Sequence, residues 1–209
     1  MIPLRNKVPK RRTTTTKNPT GNKWAEHKAD LKEDFNNHCA YCDSYDGFRH
    51  TYYEVDHFIP KDFFKLLGNI GLCQYDNLVY SCKFCNNAKR AKCPTQSEIL
   101  HNDGIKGFVD PCLVEYDTHF YRTTEGAIMW KTDLGKWMYK EAFKFDERER
   151  SLIVLWNLNR LRLTIELIAV ELKKYKQYSD IYKEIENKAK EYSFEYVKFH
   201  KELIEFYDQ

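Results

Sequence analysis

The sequence predicts an α+β chain: helices flank a small strand-bearing module stapled by a metal. Three observations carry this expectation. Two Cys-x-x-Cys pairs, Cys39/Cys42 and Cys82/Cys85, bracket the β-branched and aromatic run Tyr52–Phe58. Phe120–Trp130 has strand character on both sides of Glu125-Gly126, a natural hairpin turn. From Asp146 onward the apolar residues recur at helical spacing.

The composition suits this picture. A chain of 209 residues is long enough for one compact domain with a hydrophobic core, or a small domain plus an appendage. Its 42% hydrophobic content argues against disorder as the overall state. The formal charge of +3 is too small to imply nucleic-acid binding by itself, so the placement of the charges matters more. Met1–Lys23 is basic, with no apolar run of a signal peptide. No stretch approaches the roughly 20 apolar residues of a membrane span. A reducing, cytoplasmic setting is therefore expected. There, paired Cys-x-x-Cys motifs bind metal more often than they form disulfides.

Residues 1–23 hold Arg5, Lys7, Lys10, Arg11, Arg12, Lys17 and Lys23 and no acid. Three prolines and the Thr13–Thr16 run oppose a helix. The segment reads as a flexible or loosely docked arm, or as an arm that orders on phosphates. Trp24–Asn37 reads as a helix, with Trp24, His27, Leu31 and Phe35 on one side. Tyr52–Phe58 reads as a strand. Asp62–Leu67 reads as a short helix ended by Gly68, and Cys82–Arg90 as another limited by Pro94. Ile105–Asp110 is a further expected strand. Beyond Asp146, Leu152, Leu155, Trp156, Asn159, Leu163, Glu166, Ile168 and Leu172 track a wide helical face. A break near Gln177–Asp180 precedes a second helix, about Ile181–Phe206. The expected organisation is a basic arm (1–23), a metal-bearing domain (24–145) and a C-terminal helical hairpin (146–209).

Seven cysteines are present, an odd count. Zinc favours four ligands in a tetrahedron, and each Cys-x-x-Cys presents two sulfurs from one turn. Cys39, Cys42, Cys82 and Cys85 are therefore expected to hold a structural zinc. Such a site leaves no open position for water or substrate. A redox motif needs only one such pair, in a thioredoxin-like context absent here. Cys73, Cys93 and Cys112 are left over as small buried hydrophobes, although Cys73 or Cys93 could replace a ligand.

Between the two pairs lie residue types suited to cleaving a phosphodiester. That reaction needs an activated water, neutralisation of developing charge and help for the leaving oxygen. A histidine can take the proton from water. A hard divalent cation can neutralise charge while held by as little as one carboxylate and one amide oxygen. Asp56 and His57 are adjacent, so on a regular strand they face opposite ways, and a local distortion is expected to bring both to one phosphate. The histidine also needs its other nitrogen fixed, for which the Asn77 turn is the expected source.

The order Cys39-x2-Cys42, Glu54-Val55-Asp56-His57-Phe58-Ile59-Pro60, Asn77-Leu78, Cys82-x2-Cys85-Asn86-x2-Lys89 resembles the HNH endonuclease family with its ββα-metal fold. That resemblance implies His57 as general base, Asn77 as the middle structural residue, and Asp56 and Asn86 as ligands of Mg²⁺ or Mn²⁺. Asn87 is the neighbouring alternative to Asn86. The loop after Pro60 departs from the pattern: Lys61-Asp62-Phe63-Phe64 stands where many relatives have a small Ser/Gly turn. Gly107–Pro111, the Phe120–Trp130 hairpin and Leu158-Asn159 with the run that follows are similar to HNH nucleases of bacterial anti-phage systems, including the Septu and retron-associated kind, which act beside an ATPase partner. Lys83, Lys89, Arg90 and Lys92, on or beside the helix of Asn86, are expected to contact phosphates. The resemblance implies a DNA endonuclease, with double-stranded DNA as the preferred substrate. The alternatives are an inactive zinc-stabilised binding module and an RNA-cleaving enzyme.

Overall fold

The computed structural model describes residues 1–64 and 68–208. The chain divides into two units, Met1–Glu149 and Arg150–Gln209. Among the described residues no helix is long and apolar enough to cross a membrane.

The first unit mixes short helices with two small antiparallel sheets. A 3-10 turn at Trp24–His27 runs into helix α1, Lys28–Asp34. Strand β1, Tyr53–His57, is followed by helix α2, Lys61–Phe64. The rest of the expected Asp62–Leu67 helix, residues 65–67, lies outside the described residues. Strand β2, Leu78–Cys82, pairs antiparallel with β1, with Asp56 opposite Val79 and His57 opposite Leu78. Helix α3, Lys83–Lys89, leaves β2 at once, so Cys82 ends the strand and Cys85 sits in the first turn of the helix. Next come helix α4, Glu115–Thr118, strands β3, Phe120–Arg122, and β4, Ile128–Trp130, and helix α5, Asp133–Trp137, which continues into a π turn at Met138–Ala142. The β3–β4 hairpin turns where expected, and Gly126 supplies a φ of 98° there.

The unit is organised by a column of aromatic rings. Tyr41 stacks on Phe143 at 4.6 Å, Phe143 stacks on Phe145 at 5.3 Å, and the Tyr116 hydroxyl donates to the Tyr41 carbonyl. All four residues are buried, so the cost of desolvating each hydroxyl is offset only because it finds an acceptor. Arg122 is buried too and donates to the carbonyls of Leu4, Cys42 and Gly126. It ties the N-terminus, the first cysteine turn and the hairpin to one guanidinium.

The N-terminal segment differs from the expected flexible arm. Leu4 and Arg5 are buried, and Ile2 bridges to Arg122. Arg5 pairs with Asp117, Arg11 with Asp110, and Arg12 with Asp30, Glu33 and Asp34. The acids missing from the segment are supplied by the domain beneath it, so these three cations are already neutralised. A second difference concerns Ile105–Asp110, which forms no strand. Only an isolated bridge joins Asn102 and Gly107. Gly107 has a φ of 123°, and a β-carbon there would lie 2.3 Å from the His101 carbonyl oxygen, so the chain turns tightly where an extended strand was expected.

The second unit is a helical pair. Helix α6, Glu149–Leu172, starts at the unit boundary, and α7 spans Asp180–Tyr207. Ser179 caps α7 by accepting from the Tyr182 N–H. Arg150 pairs with Glu202 and Arg160 with Glu195. As one number rises the other falls, so the two helices run antiparallel.

Candidate active site and metal centre

Four sulfurs gather where β2 meets α3. The Sγ atoms of Cys39, Cys42, Cys82 and Cys85 all lie within 4.8 Å of one another, and all four residues are buried and free of disulfides. Cys42 and Cys82 are 3.8 Å apart, and a tetrahedron with Zn–S arms of about 2.3 Å has edges of about 3.8 Å. The groups around the sulfurs are donors. Arg148 reaches Cys85 at 2.9 Å, the Cys82 N–H points at Cys39, and the Ser44 hydroxyl lies 3.0 Å from Cys42. Burial alone would lower the Arg148 pKa, but the charges of Cys85 and Cys82 outweigh it and the guanidinium is held firmly protonated. Phe84 and Phe145 flank it. Four buried sulfurs at near-tetrahedral spacing, with a half-buried guanidinium beside them, fit a structural zinc. Cys73, Cys93 and Cys112 stand outside this cluster.

β1 leads from this cluster to an open cleft of about 720 Å³, whose lining includes Glu54, Asp56, His57 and Asn86. Asp56 is nearly buried. Its Oδ2 accepts from the Tyr41 hydroxyl at 2.7 Å and pairs with Lys89 Nζ at 3.2 Å. Tyr41 is kept protonated by its burial and by the Asp56 charge. The aromatic column of the core thus ends on this carboxylate. Asp56 Oδ1 takes no hydrogen bond among the described residues.

Asn86 donates from Nδ2 to Glu54 Oε2 at 2.7 Å. A carboxylate can only accept, so the amide is turned with Oδ1 left over. Glu54 and Asp56 are two residues apart on β1 and share a face. The spare oxygens of Asp56 and Asn86 fit a hard divalent cation that keeps several waters, and Glu54 supplies a further carboxylate beside them. Glu54 belongs to no motif of its own, and its i, i+2 spacing from Asp56 on a strand is the one sequence signal for its place here. Asn87, the alternative to Asn86, is exposed and does not line the cleft.

His57 is the last residue of β1. Its Nε2 lies 2.9 Å from the Leu72 carbonyl. A carbonyl only accepts, so Nε2 carries the proton and Nδ1 the lone pair. Burial lowers the His57 pKa and the charges of Lys61 and Lys89 add to the effect, outweighing the Leu72 carbonyl and Asp56, which act the other way. The imidazole is thereby held neutral at neutral pH, as a proton acceptor requires. Trp24 meets its ring edge-on at 5.1 Å, and Phe64 packs at 5.6 Å.

The acceptor that fixes His57 is therefore Leu72, and the expectation that the Asn77 turn supplies it is corrected. Asn77 has another task. Its Oδ1 accepts from the Ile59 N–H at 2.8 Å, its Nδ2 donates to the Ile59 carbonyl at 3.0 Å, and its carbonyl accepts from the Phe58 N–H. It clamps the chain as it leaves β1 and so sets where His57 ends.

The four basic residues expected at phosphates separate. Lys89 is fully buried, pairs with Asp56 and donates to the His57 carbonyl at 2.7 Å. It cannot reach a surface phosphate, and that expectation is corrected: its ammonium joins the two strand residues from below. Lys92 is half-buried and donates to the Ala88 carbonyl, with burial lowering its pKa. Lys83 is exposed over the Tyr52 ring. Arg90 is exposed and lines the cleft.

Residues 39–92 match the family model of the HNH endonuclease. The span runs from the first zinc-type cysteine to just past α3 and includes every cleft residue from β1 to Arg90. No curated protein and no solved structure matches the chain.

Proposed function

We propose that this chain is a divalent-metal-dependent DNA endonuclease of the HNH type, built on a ββα-metal core with a structural zinc. One observation carries the reading. His57, whose Nδ1 is left to accept a proton, and Asp56 and Asn86, whose spare oxygens suit a cation, line one cleft in the same unit as a four-sulfur cluster. An inactive zinc module gives no reason for these to coincide.

In this reading Asp56 and Asn86 would hold Mg²⁺ or Mn²⁺, which would supply charge neutralisation to the phosphate and the leaving oxygen. His57 accepts the proton of the attacking water at Nδ1, while the Leu72 carbonyl stops its ring from rotating. Lys89 and Tyr41 hold the Asp56 carboxylate in one orientation. Asn77 fixes the turn after His57. Arg90, Lys83 and Lys92 are the proposed phosphate contacts. Double-stranded DNA is the proposed substrate, and the setting is cytoplasmic.

The role proposed for the enzyme is the nuclease component of a bacterial anti-phage system, beside an ATPase partner. That part rests on the resemblance of Gly107–Pro111, Phe120–Trp130 and Leu158-Asn159. Phage protection lost on His57→Ala in a host carrying the whole system supports it, and protection unchanged removes it.

The chemistry is tested with supercoiled plasmid in Mg²⁺ or Mn²⁺. Wild type should nick it and zinc-loaded His57→Ala should not. Equal nicking by both removes the enzyme assignment, and a parallel RNA substrate separates DNA from RNA cleavage.

A further inference from the structure

Part of the cleft lining, Trp24, Ala25 and Lys28, comes from sequence outside the matched span. Trp24 and Lys28 come from the N-terminal 3-10 turn and the start of α1, and Lys61 from the start of α2. With Arg90 they line the cavity that holds His57 and Asp56. Among the described residues Lys28, Lys61 and Arg90 form no ion pair. Arg5, Arg11, Arg12, Lys32 and Lys89 of the same unit are all paired with carboxylates. Lys28, Lys61 and Arg90 thus bring positive charge to a cleft that Glu54, Asp56 and Asp62 also line. Trp24 is half-exposed there, with the Lys61 ammonium 4.8 Å from its ring centroid and its edge against His57.

A cationic groove with an aromatic ring set into it binds a nucleic-acid strand by tracking phosphates and stacking a base, without reading sequence. Inside an intact duplex every base is already stacked and paired, and an indole beside the scissile phosphate would meet only sugar and phosphate. We propose that Trp24, Lys28, Lys61 and Arg90 form a strand-binding subsite for DNA with an unpaired base next to the cut, such as a gap, flap or bubble in a duplex. This rests on the phosphodiesterase reading for its orientation towards His57. It makes the N-terminal turn, which the family match does not cover, the selector of substrate structure.

The test is fluorescence anisotropy with the full-length, zinc-loaded protein and no added Mg²⁺ or Mn²⁺, so that binding is read without turnover. The probes are an intact duplex and the same duplex with a one-nucleotide gap. The gapped probe should bind about tenfold more tightly, the scale of one base stacked on an aromatic ring. Trp24→Ala should erase that preference and Trp24→Phe should keep most of it. Lys28→Gln and Lys61→Gln should weaken both probes alike and each reduce the slope of log affinity against log salt by roughly 0.7 to 0.9. Equal affinity for the two probes in wild type overturns the proposal. So does a preference unchanged in a Trp24→Ala protein that melts like wild type. If Trp24→Ala does not fold, unchanged salt slopes in the two lysine variants overturn it on their own. Loss of the nuclease reading shows up separately, as plasmid nicking that does not depend on His57.

Discussion

The sulfur cluster, where β2 meets α3, and the carboxylate cleft, lined by β1 from Tyr53 to His57, answer the same problem differently. Each gathers acidic side chains and sets one cation against them: the half-buried Arg148 against Cys85 and Cys82, and the buried Lys89 against Asp56. In the cluster the sulfurs face one another and all four residues are buried. In the cleft Asp56 Oδ1, Asn86 Oδ1 and His57 Nδ1 take no hydrogen bond among the described residues, and the three residues line an open cavity. A closed anionic site can only be a frame. An open one, with lone pairs left over, can do chemistry.

The strongest way to break this comparison is to open the closed site. Cys82→Ser should release zinc and leave the first unit without a cooperative melting transition, because zinc binding of about 10–16 kcal/mol is folding free energy in such sites. Full zinc content and an unchanged melt would remove the distinction between frame and site.

Lys89→Met comes next. It leaves the Asp56 carboxylate nearly buried without its cation, which costs about 3–5 kcal/mol in denaturant unfolding. Adding Asp56→Asn should recover much of that stability without restoring cleavage. If Lys89→Met unfolds at the wild-type midpoint, the ammonium is not balancing the carboxylate.

A smaller effect is expected from Asn77→Ala, which leaves the Ile59 N–H and carbonyl unsatisfied in a buried turn, at about 1–3 kcal/mol. Zinc content should be unchanged while cleavage falls, since the end of β1 loosens. Cleavage at the wild-type rate would mean that the clamp does not position His57.

The mildest probe is pH. Because the His57 pKa is lowered, the neutral base persists to lower pH, so the acid limb of kcat/KM should lie below the ordinary histidine value. Lys61→Gln removes one of the charges that lower it and should move that limb upward. A limb that does not move would mean that Lys61 is not felt at the imidazole.

The closed site was far more legible in the sequence than the open one. Cys-x-x-Cys is a local signature, because one turn brings two sulfurs together whatever lies around them. The cleft depends on contacts that leave no such mark. Leu72 orients His57 through a backbone carbonyl, which any residue carries. Lys89 looks like a surface lysine on a short helix until Asp56, on the strand opposite, is seen to face it. Strand β2 escaped a reading by alternation because all five of its residues are buried. The docking of the N-terminal segment was hidden for the same reason as Lys89: Arg11 and Arg12 find their carboxylates at Asp110 and Asp30, distant in sequence. The C-terminal helices, whose signal is periodicity alone, came out close to their expected limits.

The central claim is that a sulfur-held frame presents oxygen ligands for a second, separate metal ion. Mn²⁺ titration followed by electron paramagnetic resonance tests it most directly, using zinc-loaded wild type and Asn86→Ala. Wild type should take up one Mn²⁺ per chain, and Asn86→Ala should bind it much more weakly with zinc content unchanged. Equal Mn²⁺ uptake by the two proteins, or Mn²⁺ bound only as zinc is lost, would contradict the account.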